Sequence, residues 1–162
     1  MRSSASESEI AEYSEGMCHA FAIALHREFG WSLLVVTDDN ETWWQCEDDP
    51  DNFIPAVVHV YAVDHAGMAW DILGCRPEDS VSSEVSDRFG VMETSQDDCR
   101  GVGEMVVYVD GLSESDGIER PLCEYSQGDL SRAIAVARGV LSGIPGFPVA
   151  PGSRKGVRGP GM

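Results

Sequence analysis

Three residues of complementary chemistry stand far apart in the chain: Cys18, His59 and Asp71. Cys18 lies in "YSEGMCHAFAIALHREFGW", two positions after a glycine, where an apolar-striped helical stretch begins. A thiol attacks a carbonyl only as thiolate, and the pKa of a free thiol is too high at neutral pH. A helix N-terminus sets partial positive charge and unpaired N–H groups beside the sulfur, which favours both the thiolate and a later oxyanion. A histidine within reach takes the proton and returns it to a leaving amine. A carboxylate holds the imidazole in its useful tautomer. Cys18 as nucleophile, His59 as base and acid and Asp71 as orienting residue would thus form an acyl-transfer site. Each also has a plainer reading: a small core thiol, a hydrogen-bonded core histidine, a strand-end carboxylate.

The elements must bring them together. Phe21, Ala22, Leu25 and Phe29 form one apolar stripe, predicting a helix over 18–29 that ends at Gly30. "WSLLVVT" (31–37), "AVVHVYAV" (56–63) and "MAWDIL" (68–73) read as strands, with "DHAG" as a hairpin turn. His59 and Asp71 interrupt two apolar strands, and a buried polar group needs a partner. A three-residue loop, Asp64 to Ala66, would pair Val63 with Gly67 and set His59 directly opposite Asp71, with Cβ atoms about 5 Å apart. A four-residue loop would oppose His59 to Ile72 and turn Asp71 to the other face, unless a bulge corrects it.

Elsewhere Ser6 and Glu9 have capping-box spacing before a short helix to Tyr13. "DDNETWWQCEDDPDN" (38–52) reads as a long acidic loop, Pro77 as the start of a helix with Val81, Val85 and Phe89 on its apolar side, "VMETSQDDCRGVG" as loop, "EMVVYVD" (104–110) as a strand, and 129–141 as a helix. The expected organisation is a disordered N-terminus (1–8), one catalytic-like domain (9–141) and a Gly/Pro-rich flexible tail (142–162).

At 162 residues the chain can bury a real core, and its formal charge of −17 argues against nucleic acid and anionic lipid as partners. A basic protein partner fits that charge; a solvated acidic face is the simpler account. No apolar run approaches the ~20 residues of a membrane span. The polar, acidic start "MRSSASESEIAEYSE" is unlike a signal peptide. Five scattered cysteines without a C-x-x-C pair give no structural zinc site and suit the reduced cytoplasm. No metal or other cofactor is expected, and there is no Walker pattern, zinc-deaminase signature or G-x-S-x-G. His19 follows Cys18 and would point about 100° away on a helix, so it reads as exposed or supporting; His26 reads as surface and His65 as a turn residue.

"G-x-C-H-x-F-A-x-A-L" opening a helix, then a strand histidine, then "D-I-x-G" on the paired strand, resembles the papain-like and transglutaminase-like superfamily, including small bacterial and phage-associated members without assigned activity. The resemblance spans Gly16 to Gly74. It implies an α+β fold, a small antiparallel sheet with the nucleophile-bearing helix packed on it, and the roles already given to Cys18, His59 and Asp71. It implies thioester chemistry on a peptide, protein or small amide: hydrolysis, deamidation or transfer. Papain-like peptidases carry a glutamine shortly before the nucleophile; here Tyr13, Ser14 and Glu15 stand there. The Cys18 N–H would be one oxyanion donor, and Gln45 is a candidate for the second. Trp43 and Trp44 would form a lid or substrate-side wall, or else pack over the sheet edge. The competing function is a non-enzymatic acidic binding protein on the same fold, such as a phage or mobile-element accessory protein that engages a basic partner.

Overall fold

The computed structural model describes residues 1–45, 47–51, 53–90, 94–99 and 127–149. Helix α1 (Glu7–Ala11) starts with the expected capping box, in which Ser6 and Glu9 satisfy each other's backbone N–H. A π-helical turn (Glu12–Gly16) leads to α2 (Cys18–Phe29), which ends at Gly30 in the left-handed conformation, φ 69°. Strands β1 (Ser32–Gln45), β2 (Phe53–Val63), β3 (Met68–Asp71) and β4 (Gly74–Pro77) follow. After a 3₁₀ turn (Glu78–Ser80) come α3 (Val81–Phe89), β5 (Thr94–Cys99) and α4 (Gln127–Leu141). The strands form one antiparallel sheet in the order β4-β3-β2-β1-β5, so the class is α+β.

Alternation along β1 and β2 divides the core between the two faces of the sheet. Leu33, Val35 and Val60 pack with Ala20, Ala22 and Ile23 of α2 and Leu130 of α4. Val36, Tyr61 and Ala69 pack with Val81 and Val85 of α3. Both faces are covered, which is why these strands read as nearly continuous apolar runs. Residues Cys18 to Leu25 are all buried, so the first two turns of α2 are enclosed all round rather than along one stripe. No described helix is long and apolar enough to cross a membrane.

Four expectations change. The acidic segment 38–45 continues β1: Thr42 pairs with Pro55, Trp44 with Ile54 and Gln45 with Phe53, through two register shifts. Exposed Asp39, Asn40 and Glu41 fall in the irregularity between Asp38↔Ala56 and Thr42↔Pro55, so the ladder resumes past them. Thr94–Cys99 is a strand paired with β1 rather than a loop, the outermost of the sheet among the described residues. The N-terminus, expected to be disordered, bonds to the β3–β4 turn: Ser3 N–H donates to Leu73 O at 2.9 Å and Cys75 N–H to Met1 O at 2.9 Å. That turn leaves main-chain groups that a short extended segment satisfies. The domain also continues past 141. Phe147 is 6% exposed and its ring lies 5.4 Å from Phe29 and 5.6 Å from Trp70. Aromatic burial outweighs the Gly/Pro composition there. The expected strand 104–110 and the tail from 150 lie outside the described residues.

Phe147→Ala tests this closure. Removing a buried ring from the Phe29–Trp31–Trp70 cluster should cost about 3–5 kcal/mol in urea unfolding. A loss below about 0.5 kcal/mol, as at an exposed position, would return residues 142–149 to the status of a tail.

Candidate active site

Cys18 is the first residue of α2. Met17 before it has φ −118° and ψ 17°, outside the helical region, and no side chain caps the helix. The first N–H groups of a helix have no partner within it, and the sulfur of Cys18 sits at that end of α2.

His59 is in β2. The β1–β2 register runs Val36↔His59 and then Thr37↔Val57, so Val58 has no partner and forms a bulge next to the histidine. On its other side β2 pairs with β3 only at Ala62↔Trp70 and Val63↔Ala69. Among the described residues no strand pairs with that side of β2 at His59. His59 is 3% exposed, and its ring stacks on Tyr61 with centroids 6.0 Å apart and planes at 14°.

The hairpin that presents Asp71 pairs Val63 with Ala69, so five residues, Asp64 to Met68, stand between the partners where Val63 opposite Gly67 would leave three. Asp64 organises it: its Oδ1 accepts from Ala66 N–H (2.8 Å) and Met68 N–H (3.0 Å), and its Oδ2 from Trp70 Nε1–H (2.8 Å). Gly67 takes φ 78° in the turn. Two extra residues preserve parity, so Asp71 stays on the histidine's face but stands level with Tyr61. The carboxylate reaches His59 diagonally, and His59 Nε2–H donates to Asp71 Oδ2 at 2.8 Å.

Arg76 completes the arrangement, and the sequence reading missed it. Its Nη1 donates to Asp71 Oδ1 at 2.9 Å and its Nη2 to Oδ2 at 2.7 Å, while Leu73 N–H donates to Oδ1 at 2.8 Å. Arg76 Nε makes an ion pair with Glu84 of α3. The signal lay in "DILGCR": a tight turn at Gly74 opposes Asp71 to Gly74 and Ala69 to Arg76, which puts Arg76 on the aspartate's face.

The charges support one another. Burial alone would raise the Cys18 pKa, but His19 and His59 overrule it and pull the thiol down to about 5. Burial alone would lower that of His59, but Asp71 and Cys18 raise it to about 9. Burial works against the Asp71 carboxylate too, and His59 and Arg76 hold it well below the usual range. Both directions favour a thiolate at Cys18 beside a protonated ring at His59. His59 Nε2 is committed to Asp71, and Nδ1 is buried without a formed hydrogen bond. That leaves Nδ1 as the ring nitrogen not committed to Asp71, on an imidazole that acts electrostatically on the Cys18 thiol. His19 is 4% exposed and acts on the thiol, so of its two expected places it takes the supporting one and not the exposed one. His26 is half-buried and donates from Nδ1 to Trp31 O at 2.6 Å; His65 is exposed in the turn.

Trp43, Trp44 and Gln45 have backbone in β1, and their side chains, with the roles suggested for them, lie outside the described residues. Among the described residues no group of His, Cys, Asp and Glu has the arrangement of a metal site. Cys18 is 8% exposed, and the cavity beside His59, bounded by Arg76, Val85 and Phe89, measures about 20 Å³, room for one water. A groove of about 580 Å³ adjoins it through Leu73, Arg76 and Glu84. No family model, curated protein or solved structure matches the chain.

The depressed thiol gives a pH signature. A folded pKa below the unfolded one keeps the thiolate down to low pH, and its stabilising contribution disappears as pH falls through about 5. Iodoacetamide alkylation of native Cys18, followed by mass spectrometry, should rise with a midpoint near 5. His59→Ala should move that midpoint to the free-thiol range, ~8.5 or above. Identical profiles for the two proteins would separate the imidazole from the sulfur's ionisation.

Proposed function

We propose that this chain is a cysteine-dependent acyl-transfer enzyme of papain-like or transglutaminase-like kind, acting through Cys18, His59 and Asp71. The observation that carries the reading is the buried 2.8 Å bond from His59 to Asp71 on an imidazole that leaves Nδ1 uncommitted and acts on a thiol held near 5. Structural cores do not need an ionised sulfur, and a pair of this kind is suited to nucleophilic catalysis.

In the proposed cycle the Cys18 thiolate attacks the carbonyl carbon of an amide, and the C–S bond forms as the oxygen becomes anionic. N–H groups at the start of α2 stabilise that oxygen. The His59 imidazolium gives its Nδ1 proton to the leaving nitrogen, the C–N bond breaks, and a thioester remains. Neutral Nδ1 then takes a proton from water, or from an acceptor amine, as it attacks the thioester. The C–S bond breaks, and thiolate and imidazolium are restored. Asp71 keeps the ring's tautomer and tilt throughout. Substrates are a peptide, a protein side-chain amide or a small amide, neutral or cationic to suit a chain of net charge −17. The free Cys18 and Cys75 thiols suit the reducing cytoplasm.

The tight closure around Cys18 favours a second reading, a binding protein that uses its acidic surface toward a basic partner and never turns over. One experiment separates the two. The protein is incubated with a panel of activated amides and esters, and acyl adducts are mapped by mass spectrometry. The enzymatic reading expects a transient adduct on Cys18 alone, none with Cys18→Ala at unchanged circular dichroism, and at least about 100-fold slower turnover with His59→Ala. Adducts spread evenly over the cysteines, or none at all, would leave the binding protein.

A further inference from the structure

We propose that Arg76 is a positioning residue for His59, acting through Asp71, and that it belongs to a line of alternating charges that runs from Cys18 on α2 to Glu84 on α3. This deepens the proposed function and rests on it.

The geometry is specific. Asp71 Oδ2 receives both His59 Nε2–H, at 2.8 Å, and Arg76 Nη2–H, at 2.7 Å. Its Oδ1 receives Arg76 Nη1–H at 2.9 Å and Leu73 N–H at 2.8 Å. A carboxylate held by one imidazole could swing about its own axis. The planar guanidinium fork, with the Leu73 N–H, fixes the plane so that Oδ2 keeps facing the ring. Arg76 in turn is fixed by its ion pair with Glu84. The order is thiolate, imidazolium, carboxylate, guanidinium, carboxylate, on α2, β2, β3, β4 and α3. Each buried charge has a neighbour of opposite sign, which is the condition under which burial is tolerated.

The other polar groups around the ring do not replace this line. His19 comes from α2 and acts on the thiol. Tyr61 stacks on the ring, its hydroxyl taken up by Glu78 and Gln96, and burial keeps its phenol protonated. Arg88 of α3 borders the cavity and donates to Ser14 Oγ at 2.9 Å.

A line of alternating charges makes a prediction that a merely structural clasp does not. Removing each member should move the His59 titration with a sign that alternates along the line. The test is an NMR titration of the His59 ring. Asp71→Asn removes an anion and should lower the midpoint by about two units; Arg76→Met removes a cation and should raise it by about one; Glu84→Gln removes a more distant anion and should lower it by a few tenths, roughly. Glu84 is half exposed, so Glu84→Gln carries the test if Arg76→Met does not fold. Loss of thermal stability without a shift in the Arg76→Met or Glu84→Gln midpoint, or a fall with Arg76→Met, would overturn the proposal. Cys18→Ser is the control for the underlying reading. If it leaves the His59 midpoint unmoved, the thiol–imidazole pair fails, while the sign of the Arg76→Met shift still decides the role of Arg76.

Discussion

The site depends on one buried contact, the 2.8 Å hydrogen bond between His59 and Asp71. Desolvating either group alone would drive it neutral, and the imidazole would then have no reason to stay charged beside the sulfur. Together, with Arg76 on the carboxylate's outer side, they invert that tendency. The Asp71 carboxyl is pulled down, the His59 imidazole up and the Cys18 thiol down, each toward its charged form. Burial, usually the enemy of charge, here sharpens the mutual attraction because little water competes for it.

The surrounding fold is arranged to permit this contact. β3 stops pairing with β2 at Ala62, short of His59, and the bulge at Val58 adjusts the strand just before the ring. The Asp64 turn fixes hairpin parity, and the tight β3–β4 turn delivers Arg76 beside Asp71. α3 closes the far side with Val85 against the sheet and Glu84 on Arg76. The price is access. The cavity beside His59 has room for one water, so the proposed acyl transfer would need α3 or a neighbouring segment to yield, and a groove beside Leu73 and Arg76 adjoins it.

Much of this was legible in the residues because local rules governed it. The helix over 18–29 came out to the residue, since Gly30 caps it and the apolar spacing is regular. The three site residues followed from their types and from two polar interruptions in apolar strands. Two more residues stood between the first hairpin partners than expected. Parity, which decides the face, was right; distance was not, because side-chain hydrogen bonds to Asp64 selected the loop. What stayed hidden was tertiary. Arg76 lay between the expected strand 68–73 and the expected helix start at Pro77, in residues given no element, and its place appears only once β4 pairs. Helical phase alone left His19 either exposed or supporting, and the first turns of α2, enclosed on every side, decide for the second. The outer part of β1 and strand β5 were concealed by polar side chains that carry no weight in a main-chain ladder. Composition also misjudged 142–149, where two buried side chains, Ile144 and Phe147, outweigh flexible neighbours.

The central claim is that the folded protein holds an ionised sulfur at Cys18 by virtue of a protonated imidazole. Thiolate absorbs in the ultraviolet where thiol does not, so the difference spectrum between the native protein and Cys18→Ser, taken across pH, reads that sulfur directly. The account predicts that the Cys18 signal is fully present at neutral pH and fades only as acid brings the solution to about 5. A signal that emerges only in alkali, at the ~8.5 of a free thiol, would contradict it.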